Sequence, residues 1–260
     1  MFLLAALVLG PLRADSGSTA GAPTYSADSI ANSAAGIAGF YAPNTFISIY
    51  GQNLAHVIRA ITPDDISGGM LPTALTGTGL RVLINQVPAN VWYVSPTLVN
   101  VLIPNWLVAG PATLQLEVDG LAGPPVAITL GATAPALFQT DATTALGVHL
   151  DGSLITATAP AHPGELIVLF ATGLGATLPP QVPNQVAQAA AQIAGRDNFQ
   201  VLLNDTPVDP ARIVYVGIAP ATAGVYQINL VLPADAPANP EIRISTLERT
   251  SPAGRFLPVQ

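Results

Sequence analysis

Cysteine and lysine are both missing from this 260-residue sequence. Without cysteine there is no disulfide framework, no thiol nucleophile and no thiolate metal site, although the compartment stays open. All eight basic residues are arginine, set against fifteen acidic ones for a net charge of −7. They form no cluster, so neither duplex nucleic acid nor an anionic lipid surface meets an electrostatic footprint. Charge of either sign is scarce, at 9% of the chain, against about 25% in a typical soluble domain. Long apolar runs are lacking as well. Hydrophobic residues make up 50% of the chain, yet no stretch reaches the roughly 18 consecutive apolar residues that span a bilayer. A chain so poor in charge covers its surface with Thr, Ser, Asn, Gln, Ala and Pro. Such a surface is weakly solvated and suits contact with other surfaces; a compositional bias toward Ala and Pro accounts for it equally well.

What is present is a sequence written twice. Phe46-Ile47-Ser48-Ile49-Tyr50-Gly51-Gln52-Asn53-Leu54 has an echo in Leu166-Ile167-Val168-Leu169-Phe170-Ala171-Thr172-Gly173-Leu174. Leu80 to Pro88 returns as Phe199 to Pro207, and Leu98 to Pro104 as Gln227 to Pro233. Three matched blocks in the same order, roughly 120 residues apart, indicate two copies of one module. The length accommodates two domains, each able to bury a core.

Gly and Pro supply 23 and 25 residues, which suits many tight turns between short strands. Thr113 to Gly120 alternates: Leu114, Leu116 and Val118 face a core while Gln115, Glu117 and Asp119 face water. Asp119-Gly120 signals a hairpin, with Val126, Ile128 and Leu130 on a returning strand. Ile228, Leu230 and Leu232 share one face, as do Ile242 and Ile244. Strands every 8–12 residues with turn signals between them argue for β-sandwiches rather than a parallel sheet with helices. One segment, Asn184 to Ala194 with Gly195 as a stop, is rich enough in Ala and Gln to predict a helix.

The chain opens on the apolar run Phe2 to Leu9, with Leu12-Arg13-Ala14 as a cleavage point. Residues 1–14 read as the apolar part and end of a secretory signal, though a basic leader is missing. The rival is an apolar tail retained on the mature protein. Residues 15–24 read as a flexible leader. The modules meet near Ala132-Thr133-Ala134-Pro135, and Ala134-Pro135 opens the second as Ala22-Pro23 opens the first.

The segments FISIYGQNLA, LPTALTGTGLRVLINQVPANVWYVSPTLVNVLIP, APALF, DGSL, PAHPGELIVLFATGLGAT and VYVGIAPATAGVYQINLVLP resemble the Solibacter C-terminal domain family, found at the ends of many secreted proteins of Acidobacteria. The resemblance covers about residues 25–245. The Ile-Tyr-Gly-x-Asn-Leu element is similar to the opening strand of IPT/TIG immunoglobulin-like domains. The resemblance implies tandem immunoglobulin-like sandwiches and export, and it brings no catalytic residues. The tail from Leu247 departs from clean strand alternation.

Candidate sites are few. His56, His149 and His162 have no second ligand at metal spacing. His149, Asp151 and Ser153 supply triad residue types, but in one short turn with no Gly-x-Ser-x-Gly elbow. Asp64-Asp65 lacks the pattern of a calcium loop and suits a turn cap. Gly77-Thr78-Gly79 and Gly173-Leu174-Gly175 do not extend to a phosphate loop. Asn204-Asp205-Thr206 fits the glycosylation sequon, yet its position in a matched strand pair favours a turn. Trp92 and Trp106 are candidates for exposed contact, including sugar stacking, and both are lost in the second copy; Tyr93 matches Tyr215 and reads as structural, with its hydroxyl anchored at a strand end.

The expectation is an all-β chain: two tandem immunoglobulin-like β-sandwich domains over 25–133 and 134–260. The expected role is that of an exported, non-enzymatic structural protein, extracellular or at the cell surface, that acts by surface contact. Copies of itself are the expected partners, in a fibre or surface layer. The alternative is an adhesion module for carbohydrate or cell-surface polysaccharide. No cofactor, metal, nucleic acid or membrane span of the mature form is expected.

Overall fold

A computed structural model describes residues 21–247 and 249–260. The expected signal over 1–14 and the leader up to residue 20 lie outside the described residues. The chain divides into two compact units. One ends at Ala132 and also takes in Val182–Val186; the other comprises Thr133–Gln181 and Ala187–Gln260.

The first unit contains β1 (Ile30–Asn32), β2 (Phe46–Tyr50), β3 (Arg59–Ala60), β4 (Leu80–Ile84), β5 (Val87–Pro88), β6 (Asn90–Val94), β7 (Leu98–Leu102), β8 (Gly110–Val118), β9 (Leu121–Ala122) and β10 (Val126–Leu130). They form two antiparallel sheets, ordered β1-β2-β7-β6-β3 and β10-β8-β4-β5, with β9 paired to β8. Strand alternation sends Ile47, Ile49, Val99 and Val101 from one sheet, and Val82, Ile84, Leu114 and Leu116 from the other, into one buried cluster. Each such side chain contributes about 1.5–3 kcal/mol by leaving water. The second unit contains β11 (Ala136–Leu137), β12 (Gly147–Val148), β13 (Leu166–Thr172), β14 (Thr177–Leu178), β15 (Ala191–Ile193), β16 (Gln200–Leu203), β17 (Thr206–Pro207), β18 (Ile213–Ile218), β19 (Tyr226–Val231) and β20 (Ile242–Ser245). Its sheets run β11-β13-β19-β18-β15-β14 and β17-β16-β20 around a second core. The architecture is the all-β sandwich expected from the strand spacing, of the immunoglobulin-like kind that the resemblance implies.

The duplication extends to hydrogen-bond register. Phe46 faces Leu102 and Ile47 faces Val101 across β2 and β7; their echoes Leu166 and Ile167 face Val231 and Leu230 across β13 and β19. A bulge falls between Val91 and Tyr93 in one unit and between Ile213 and Tyr215 in the other. The 4–5 and 16–17 hairpins turn on Asn85-Gln86 and Asn204-Asp205, all at positive φ. In each, the asparagine side chain reaches across the sheet to accept a backbone N–H, from Thr113 at 2.8 Å and from Glu241 at 2.9 Å. Asparagine tolerates the left-handed conformation that alanine resists. Asn85→Ala and Asn204→Ala should therefore each cost about 1–2 kcal/mol, measured as a fall in the urea midpoint. Asn204, the sequon residue, thus has the turn role its echo predicts.

One expectation is corrected here. Asn184 to Gly195 is not a helix. Its Ala and Gln residues carry no apolar stripe at helical spacing, and tertiary pairing decides instead. Asn184 sits at positive φ and accepts the Leu71 N–H at 2.7 Å within the first unit. Ala191 pairs with Ile218 as part of β15. The tail beyond β20 does not form a regular strand. It returns through single bridges at Thr250 and Phe256, and it buries Leu257 and Val259 in the second core.

Candidate functional site

The residues that sequence chemistry singles out are held in local structure. Ser153 Oγ donates to Asp151 Oδ1 at 2.6 Å, inside the turn. His149 instead places Nδ1 2.5 Å from Glu165 Oε1 and Nε2 3.3 Å from the Ala159 carbonyl. The triad types are therefore present without the relay of serine to histidine to carboxylate. Of the acidic pair, Asp65 is the cap. It accepts the Thr62 N–H and hydroxyl and pairs with Arg59 at 2.5 Å. Burial alone would raise its pKa, but the Thr62 bonds and Arg59 outweigh that and hold it below the usual value. Gly77 and Gly79 both lie at positive φ in a turn closed by Thr78 Oγ1 on the Leu75 carbonyl. His56 lies 2.6 Å from Asp119. Among the described residues no three His, Asp or Glu side chains gather as a metal site.

The two tryptophans have opposite fates. Trp92 is only 6% exposed and meets the Phe46 ring edge-on, with centroids 5.0 Å apart. This corrects its assignment as a contact residue, because a buried ring offers no face to a ligand. The bulge beside it turns successive side chains of β6, and all five are buried. Tyr93 is buried at 7% exposure; the hydroxyl anchor expected of it is seen instead at its counterpart Tyr215, which donates to Ile218 O at 2.8 Å.

Trp106 is 39% exposed and Val108 82% exposed. They project from the loop between β7 and β8, while Leu107 between them packs on the core. The loop runs straight into β8. There Pro111 and Thr113 pair with Thr129 and Ala127 of β10. These four side chains, with Asn85, line an open groove of about 310 Å³ on the outward face of the sheet. None is charged. Among the described residues the far side of β10 has no neighbouring strand in the sheet, apart from a single bridge between Leu130 and Tyr41. The second unit is built differently here. The matching loop carries exposed Asp235, and outward Arg243 pairs with Asp205 at 3.0 Å. The groove escapes motif reasoning because no residue in it is chemically distinctive. Its trace in the sequence is the uncharged set of outward positions Pro111, Thr113, Ala127 and Thr129.

No protein-family model matches the chain, and no curated protein sequence does. Among solved structures it is similar to a surface glycan-binding protein of Prevotella bryantii, at 14% identity and TM-score 0.29, over 91% of this chain and 42% of that one. It is also similar to tandem Ig repeats of Dlar, at 14% identity and TM-score 0.21, over 85% and 91% of the two chains. The adhesin InvE of Yersinia pseudotuberculosis gives 13% identity and TM-score 0.22, over 82% and 51%. The chain thus spans less than half of the glycan-binding protein and about half of the adhesin. Scores this low carry no argument about function. No helix among the described residues is long and apolar enough to cross a membrane.

Proposed function

We propose that this is an exported, non-enzymatic protein that works by surface contact, assembling with copies of itself into an extracellular fibre or surface layer. The observation that carries the reading is the Trp106–Val108 loop. It exposes two large apolar side chains and leads into β8, which with β10 lines an uncharged groove, the edge of β10 being open among the described residues. Aromatic anchors dominate the energy of contacts, and an open edge strand accepts another strand through backbone hydrogen bonds. The residues described in the turns serve the fold and leave surface as the working part. The resemblance to exported tandem domains points the same way.

The test is sedimentation and electron microscopy of the secreted protein beside a Trp106→Ala, Val108→Ser variant. Both residues are exposed, so folding stability should move by only about 0.5 kcal/mol. Self-association should weaken by roughly tenfold or more. Wild-type protein that stays monomeric at high concentration, with intact ends, defeats the reading. The exposed Trp106 ring also supports a second one, the stacking of a sugar on its face. Binding on a glycan array that Trp106→Ala abolishes, with assembly unchanged, selects that alternative.

A further inference from the structure

The second unit carries a titratable fastening at positions where the first has Asn32, Ala42 and Thr45. The repeat places His149 on Asn32, His162 on Ala42 and Glu165 on Thr45. The frame around these positions is the same in both units. Thr45 N–H donates to Ala42 O, and Glu165 N–H to His162 O. Gly131 N–H donates to Tyr41 O, and Gln260 N–H to Ala161 O. Asn32 fixes its loop with bonds to Ala34, Ala35 and Phe40 that do not titrate.

At His149 the chemistry changes. Both ring nitrogens face oxygen acceptors, the Glu165 carboxylate and the Ala159 carbonyl. A neutral imidazole has one N–H and satisfies one of them; only the imidazolium satisfies both. The other oxygen of Glu165 accepts the His162 N–H at 2.8 Å, and the His162 ring lies 2.8 Å from the Gln260 carbonyl. One proton on His149 is thus linked through Glu165 to the segment that brings Leu257 and Val259 into the core.

We propose that His149, Glu165 and His162 form a pH-gated latch that holds the C-terminal segment of the second unit while His149 is protonated and releases it when His149 is neutral. The charged and titratable groups facing His149 are Glu165, just before β13, and Asp151 from its own turn, with His162 on the far side of Glu165. The Glu165 hydrogen bond raises the His149 pKa despite burial, with Ala159 O and Asp151 adding to it. For Glu165 burial pulls upward, but the bonds from His149 and His162 prevail and lower its pKa. A raised histidine stabilises fully below its unfolded pKa of about 6.5 and loses that contribution as pH rises through the folded value. A lowered glutamate stabilises above its unfolded pKa of about 4.3 and loses that as pH falls. The latch is therefore tightest between about pH 4.3 and 6.5 and opens on the alkaline side.

Hydrogen exchange of the full chain, corrected for intrinsic rates, tests this at about pH 5.5 and about pH 8.5. Protection of the His162 and Gln260 amides should fall roughly three- to tenfold at the higher pH, as the loss of a partly exposed charged hydrogen bond implies. The Gly131 amide, the counterpart of Gln260 in the first unit, should not change. His149→Asn, which installs the residue of the first copy, should remove the difference, and so should Glu165→Gln. Equal protection at the two pH values in the wild type overturns the latch. So does an unchanged pH dependence in either variant.

Discussion

Trp92→Ala is expected to lower the stability of the first unit by about 3–5 kcal/mol, the range for deleting a buried tryptophan. A change of that size is a large share of a domain's total stability, so the variant should unfold at much lower urea. Trp92→Phe should be far milder. It retains the edge-on contact with Phe46. It also removes an indole N–H that is buried with no hydrogen-bond partner among the described residues. Leaving such a group unpaired costs about 1–3 kcal/mol, and losing it offsets much of the cavity. The net cost should stay under about 1.5 kcal/mol. The pair separates a structural ring from a binding one. A Trp92→Ala protein that keeps its unfolding midpoint but loses a sugar or a partner contradicts the burial described above. The matched position in the second unit is Val214, which is 58% exposed. Val214→Ala should accordingly do little, which marks the first unit alone as dependent on this ring.

The fold was legible where the chain repeats itself. Blocks such as Leu80 to Pro88 and Phe199 to Pro207 predict paired strands around a tight turn, and both adopt the same register. Alternation from Thr113 to Val118 correctly places Leu114 and Leu116 inside. Legibility ends where one copy departs from the other. Asn184 to Gly195 has no echo, and its helical composition is overridden by pairing with residues distant in sequence. Trp92 looks like a surface ring because its echo is a valine; nothing local reveals that the first unit buries it. The pairing of His149 with Glu165 bridges 16 residues and depends on the 12–13 strand register, so the sequence shows a histidine in a loop and no partner. Sites were harder to read than strands because period and turn chemistry are local, whereas a groove or an ion pair exists only once strands are side by side.

The same logic of echoes gives a substitution that should be tolerated in one direction only. Gly217 corresponds to Ser95. In the first unit Ser95 closes the turn between β6 and β7, with its Oγ donating to the Leu98 carbonyl and accepting the Leu98 N–H. In the second unit β15 lies alongside, pairing Gln192 with Gly217. A Cβ added at Gly217 falls 2.2 Å from the Ala191 carbonyl oxygen and 2.5 Å from the Tyr215 hydroxyl. The first of these is backbone and cannot rotate away. Gly217→Ser should therefore push β15 off β18 and break the Tyr215 hydroxyl bonds to Ala191 and Ile218. Overpacking and the lost hydrogen bonds together imply about 3 kcal/mol or more. The converse change, Ser95→Gly, loses the two bonds to Leu98 and a longer one from the Thr97 N–H at 3.4 Å and should cost about 1–2 kcal/mol. Urea unfolding gives both values, and exchange at the Ala191 amide, on the side of β15 that faces β18, reports whether β15 has moved. If Gly217→Ser proves as stable as the parent, with Ala191 still protected, the close approach of β15 to β18 is not real, and the two copies differ less at this edge than their sheets imply.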